Sequence, residues 1–285
     1  MRFCHMKGCN MKGSFNTTFI GSTADERNTA VTILGCPLDA TSSFRGGTKF
    51  APDSIRRASW TLETYSPYLK KDLEDIAFYD SGNLEIPAGD LSLALNLIED
   101  AVSEATEQGK KTLILGGEHL ITYPILKGMK KTFPVLQLIH FDAHCDLRDE
   151  YEGQKLSHAT AIRRVKDLGM AEIHQIGIRS GTRQEFDELR AVYSPASLRD
   201  RLIPDMPVYL TFDLDVFDPS LAAGVTTPEP GGLMFQDVME FFSVLVGANI
   251  VGADIVELAP DYDATFVSSI CAAKVAREVL MLLDS

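Results

Sequence analysis

Residues 134–146, PVLQLIHFDAHCD, constrain this chain more than any other stretch. An apolar run from Val135 to Phe141 stops abruptly at Asp142, His144 and Asp146. A short apolar run bounded by a turn reads as a buried strand, and apolar residues on both faces suit a parallel sheet covered by helices. Residues two apart on an extended chain point the same way. If the strand geometry persists past Phe141, Asp142, His144 and Asp146 therefore converge on one point beyond the sheet. Open parallel sheets bind their ligands at that edge.

The rest of the chain repeats the strand-then-helix rhythm. Strands are expected at Val31–Leu34, Asp75–Tyr79, Thr112–Leu115, 134–141, Glu172–Ile178, Val208–Phe212 and Ile250–Val256. Helical patterns fill 52–62, Leu91–Gln108, 120–131, 158–168, 183–193, 196–202, 235–246 and 263–283. Alternation of this kind predicts an α/β fold with helices on both faces of a parallel sheet. No linker, repeat or low-complexity segment interrupts residues 1–285, so they read as a single domain, with 1–28 a largely irregular N-terminal segment.

Composition excludes several classes. A net charge of −13 argues against a nucleic-acid surface, which needs a basic stripe. No apolar stretch approaches the roughly 20 residues of a membrane span, and MRFCHMKGCNMKGSF lacks the apolar core of a signal peptide. Five scattered cysteines, Cys4, Cys9, Cys36, Cys145 and Cys271, fit a reducing cytoplasm better than a disulfide scaffold. Cys4, His5 and Cys9 could form a metal tract, but a frayed tail is the simpler reading.

Four strands end in ligand-type residues: one runs into His119, one into Asp142, His144 and Asp146, one into Asp213 and Asp215, and the last into Glu257. In a parallel sheet these ends share one edge. Carboxylates at that density do not all stay ionised without cations between them. Oxygen-rich donors with some imidazole favour hard or borderline ions such as Mn²⁺. Six ligands suit two ions bridged by shared carboxylates, which about 3.5–4 Å apart can share and activate a water. Four aspartates, two divalent ions and one hydroxide sum to −1, and Glu257 makes −2, so a cationic substrate is expected rather than a phosphate ester. Singly, each residue has a plainer reading: a strand-end Asp is more often a turn or cap residue, and Asp-Leu-Asp also resembles the metal motif of nucleotide-sugar glycosyltransferases. That alternative leaves Gly-Gly-Glu-His and DAHCD unexplained. His140, His174 and His5 read as structural or surface histidines.

The combination resembles the ureohydrolase family, which includes arginases and agmatinases. The matching segments are Gly116-Gly117-Glu118-His119, Phe141-Asp142-Ala143-His144-Cys145-Asp146, Thr211 to Pro219, Thr227-Pro228-Glu229-Pro230-Gly231-Gly232 and Asp254-Ile255-Val256-Glu257. The resemblance implies a three-layer α/β/α fold with an eight-stranded, mostly parallel sheet. It implies two Mn²⁺ ions, one held by His119 and Asp146, the other by His144 and Asp215, with Asp142 and Asp213 bridging. It further implies that Glu257 holds a guanidinium, that Asp146 steadies the tetrahedral intermediate, that His158 shuttles the proton, and that the protein is a trimer or hexamer. Arg148 stands where arginases carry an asparagine. Ser43-Phe44-Arg45-Gly46 and Leu156-Ser157-His158-Ala159-Thr160-Ala161 are similar to bacterial agmatinases, which implies hydrolysis of agmatine to putrescine and urea. Guanidinobutyrate, aminopropyl-agmatine or arginine as substrate, and a non-catalytic metal-binding relative, are the alternatives. Gly224-Val225-Thr226-Thr227 departs from the Gly-Thr-Gly-Thr expected by the resemblance.

Overall fold

The computed structural model describes residues 18–23, 25–192 and 194–284, so Cys4, His5 and Cys9 lie outside the described residues. The strands in chain order are β1 (Val31–Cys36), β2 (Tyr65–Ser66), β3 (Lys71–Asp72), β4 (Phe78–Asn83), β5 (Lys111–Gly116), β6 (Gln137–Phe141), β7 (Ile173–Ile176), β8 (Ala191–Val192), β9 (Val208–Asp213) and β10 (Ile250–Val256). The helices are α1 (Ala51–Ser59), α2 (Leu91–Glu107), α3 (Thr122–Met129), α4 (Ala161–Asp167), α5 (Arg183–Glu188), α6 (Pro195–Arg201), α7 (Phe235–Leu245) and α8 (Val267–Leu283). Strands β2 and β3 form a small antiparallel ribbon; the other eight form one parallel sheet in the order β4-β1-β5-β10-β9-β6-β7-β8.

The alternation of side chains along each strand builds the three layers. Leu113 and Leu115, Ile139 and Phe141, and Val208, Leu210 and Phe212 pack with α1, α6, α7 and α8. Ile114, Leu138 and Tyr209 face the other way, onto α2, α3 and α4. Every residue of β6, β9 and β10 is buried, as expected of central parallel strands covered on both faces.

Two expectations need correction. The segment 183–193 is not one helix: a capping box between Thr182 and Glu185 starts α5, which ends at Glu188, and Ala191–Val192 then pairs with β7 as the eighth strand. The strand expected at Asp75–Tyr79 is shifted, because Leu73–Asp75 forms a 3-10 turn and the strand runs on to Asn83. Its polar end is held by a buried ion pair. Arg56 donates from Nε to Asp80 Oδ2 and from Nη2 to Asp80 Oδ1, both at 2.8 Å, and Asp80 also accepts from Phe19 N at 2.7 Å. Removing one partner of a buried pair strands the other. Arg56→Leu is expected to cost about 3–5 kcal/mol, read as a lowered urea-unfolding midpoint; a loss below about 1 kcal/mol contradicts this pairing.

Candidate metal centre and its pocket

The carboxyl ends of β5, β6, β9 and β10 lie side by side in the sheet, and each delivers chemistry-bearing side chains to the same edge. After β5 the chain turns through Gly116-Gly117 into a 3-10 turn at His119–Ile121. A Cβ at Gly117 would lie 1.9 Å from the Leu38 carbonyl oxygen, so only glycine lets the loop after β1 approach this closely. That approach buries Glu118, whose carboxylate accepts from Ala40 N at 2.5 Å, Thr41 N at 2.7 Å and Thr41 Oγ1 at 2.6 Å.

Strand β6 ends at Phe141, and the following turn brings Asp142, His144 and Asp146 together. Extension persists only in part: His144 still pairs as a parallel bridge with Ser180, but Asp146 has φ +53°, in the left-handed region that a non-glycine residue occupies only when its surroundings require it. The two strand-end histidines define two foci. His119 Nδ1 lies 3.1 Å from Asp142 Oδ2, 3.1 Å from Asp146 Oδ2 and 3.3 Å from Asp213 Oδ2. His144 Nδ1 lies 2.9 Å from Asp215 Oδ2 and 3.5 Å from Asp142 Oδ1. Asp142 thus presents one oxygen to each focus.

The donor chemistry fits divalent cations. Thr211 Oγ1 donates to Asp254 Oδ1 at 2.6 Å and so accepts from His119 Nε2 at 3.0 Å. That leaves Nδ1 of His119 with its lone pair towards the carboxylates. Nδ1 is buried, and none of the three nearby oxygens lies in line for a hydrogen bond. Burial and repulsion from Asp215 and Asp142 push the Asp213 carboxyl well above the usual carboxylate range, and burial and Asp142 raise Asp215. Burial disfavours a proton on either imidazole, yet the surrounding carboxylates raise His119 well above its ordinary range, while Asp215 and Asp142 push His144 up to about 12. A cation supplies the positive charge that these carboxylates otherwise draw from protons.

Glu257 follows β10 with φ +66° and is buried. Its Oε1 accepts from His119 N at 2.5 Å, and its Oε2 accepts from Thr226 Oγ1. Thr226 therefore puts a hydroxyl behind Glu257 where the resemblance led us to expect glycine. Burial pushes the Glu257 carboxyl up to about 7, against the pull of His158 and these hydrogen bonds. His158 opens the 3-10 turn before α4, half-buried, with Nε2 3.2 Å from Ser43 Oγ and Nδ1 3.3 Å from Ser157 Oγ. His119, His144, Asp146, Asp213, His158 and Glu257 line one cavity of about 220 Å³. Asp142 and Asp215 are buried against the cavity-lining His119 and His144. The six expected ligands, Glu257 and His158 are thus brought together.

Comparison with protein families matches the Arginase family over residues 29–282. The chain belongs to the arginase family. Among curated relatives, the agmatinase of Bacillus anthracis is 42% identical over 275 residues, covering 92% of this chain and 95% of the relative. The guanidinobutyrase of Pseudomonas aeruginosa is 34% identical over 272 residues, covering 88% and 85%. Among solved structures, agmatine ureohydrolase of Thermoplasma volcanium superposes with a TM-score of 0.84 at 33% identity, covering 94% of each chain. The three-layer, eight-stranded fold expected from the resemblance is the fold of this arginase-family chain.

Several participants escaped the sequence reading. Thr211 and Asp254 reach the site through the pairing of β9 with β10, Thr226 reaches it through its hydroxyl on Glu257, and His140, read as structural, donates to Asp142 at 2.8 Å. Arg148 is paired with Glu185 at 3.5 Å and stacked 5.0 Å from the Tyr151 ring centre. Among the described residues no helix is long and apolar enough to cross a membrane, and Cys36, Cys145 and Cys271 are buried and unpaired.

Proposed function

We propose that this protein is a dimanganese hydrolase that converts agmatine and water to putrescine and urea. The chain is an agmatinase-type ureohydrolase. The observation that carries the reading is the pair of foci bridged by Asp142, with the buried Glu257 carboxylate on the same cavity. His119 and Asp146 would hold one Mn²⁺, His144 and Asp215 the other, with Asp142 and Asp213 shared. When bound, such a pair supplies a water-derived nucleophile at neutral pH.

The chain's own residues do the rest. Glu257 faces the guanidinium with an oxygen lone pair on each side still available beyond His119 N and Thr226 Oγ1, and the cationic substrate keeps it ionised. Asp146 stands beside His119 at the cavity wall, placed to accept a hydrogen bond from the tetrahedral carbon's substituents. His158, at the rim, delivers the proton that the departing amine requires. Urea and a primary amine leave. The amine tail is favoured over a carboxylate tail because Arg148, the cation lining the cavity, already has Glu185 and Tyr151 as partners. A small cationic guanidino compound is thus the partner, and the acidic chain works in the cytoplasm as a homo-oligomer, a trimer or hexamer.

Glu257→Gln keeps the shape and the acceptor for His119 N but removes the charge facing the guanidinium. A charge-assisted hydrogen bond contributes about 1.5–3 kcal/mol, so kcat/KM for agmatine is expected to fall roughly ten- to hundredfold, mainly through KM. Steady-state urea release checks this, and an unchanged KM removes Glu257 from substrate binding. A panel of agmatine, arginine and 4-guanidinobutyrate tests the substrate itself; preference for guanidinobutyrate overturns the amine-tail reading.

A further inference from the structure

His140 is the penultimate residue of the fully buried strand β6 and faces Gln175 across the β6–β7 register. Both side chains are fully enclosed, and neither belongs to the six-residue ligand set. The Gln175 amide nitrogen lies 3.1 Å from the Cys145 carbonyl oxygen and 3.2 Å from His140 Nδ1. A carbonyl oxygen only accepts, so the atom facing it is the amide nitrogen; the flipped amide would set two acceptors against each other. The same nitrogen therefore has its second hydrogen for His140 Nδ1. Nδ1 accepts, so the ring carries its hydrogen on Nε2, which lies 2.8 Å from Asp142 Oδ2.

Asp142 is consequently gripped from both sides. His144 N donates to Oδ1 at 2.5 Å, and His140 Nε2 donates to Oδ2. The remaining lone pairs point to His144 and His119, one towards each focus. His140 lies close enough to His119 and Asp142 to count as a ligand itself. Its two nitrogens are both engaged, however, one donating and one accepting, so it has no lone pair free for an ion.

We propose that Gln175 and His140 are positioning residues that fix the orientation of the shared carboxylate of Asp142 and so tune cation binding at both foci. The relay runs from a backbone carbonyl through an amide and an imidazole to the carboxylate, and a defined hydrogen direction at each step prevents Asp142 from rotating. This rests on the metal reading given above. Hydrogen-bond partners of metal ligands generally change metal affinity about 10- to 100-fold when removed.

The test is Mn²⁺ titration of the chelator-stripped full-length protein by calorimetry, with thermal unfolding of each stripped variant alongside. His140→Leu removes the donor; His140→Gln keeps an N–H near the position of Nε2; Gln175→Leu removes only the group that fixes the ring. Wild type is expected to take up two Mn²⁺ per chain. His140→Leu is expected to bind Mn²⁺ at least about 10-fold more weakly, and Gln175→Leu to show a smaller loss of affinity. His140→Gln should recover most of the loss. At saturating Mn²⁺, kcat of His140→Leu falls while KM for agmatine holds. Equal weakening in His140→Leu and His140→Gln, or unchanged affinity in both His140→Leu and Gln175→Leu, overturns the relay while leaving the metal centre in place. A wild type that takes up no Mn²⁺ overturns the metal reading and the relay with it. Should His140→Leu unfold at low temperature when stripped, Gln175→Leu, one residue removed from Asp142, decides between relay and no relay by the same affinity measurement.

Discussion

Asp142→Asn is expected to lower urea release from agmatine by about 10²–10³-fold, the scale for losing a group that organises charge at a reacting centre. The substitution changes almost no volume, so packing should survive. What changes is that one side chain serves both foci: Oδ2 stands 3.1 Å from His119 Nδ1 and Oδ1 stands 3.5 Å from His144 Nδ1. An amide offers a single weak oxygen donor, and its NH₂ group would point at one focus. Metal content after dialysis should drop from two Mn²⁺ per chain towards one or none. Retained metal together with full activity would remove Asp142 from the bridge.

His158→Ala should show a different profile: loss of about 10²–10⁴-fold in kcat with Mn²⁺ content unchanged. His158 touches none of the six proposed ligands. It is held instead by Ser43, Ser157 and, through its own N–H at 2.9 Å, Thr41 Oγ1. Thr41 is in turn clamped by Glu118, the neighbour of His119, so one short segment of chain orients both a proposed ligand and the proposed proton donor. Partial recovery with imidazole in the buffer would tie the loss to proton delivery. A kcat within twofold of wild type would reassign His158 to a structural place in the 3-10 turn that leads into α4.

The ligand-type residues were legible because each lies within a few residues of the end of an apolar run, and because parallel strands deliver their ends to one edge. Convergence itself was legible for a partly wrong reason. Alternation along an extended chain suggested it, and His144 does still pair as a parallel bridge with Ser180, but Asp146 is placed by a left-handed backbone, and no spacing rule announces a positive φ at an aspartate. The eighth strand was invisible for a related reason: two residues after a well-capped helix carry no period of their own. At β4 the sequence Asp-Ser-Gly-Asn reads as a turn, and it is Arg56, 24 residues earlier, that pairs with the buried Asp80 and holds this stretch as a strand end. His140, Gln175, Thr211 and Asp254 were hidden because their partners lie on neighbouring strands, and register is a property of the sheet, not of any local stretch.

The reaction is tested most directly by stripping the full-length protein of metal, restoring Mn²⁺ and measuring urea and putrescine from agmatine, beside arginine and 4-guanidinobutyrate. The expected result is no turnover when stripped, recovery saturating at two Mn²⁺ per chain, urea and putrescine in equal amounts, and the highest kcat/KM on agmatine. Urea release that is indifferent to metal, or absent from every guanidino compound at saturating Mn²⁺, would contradict the account.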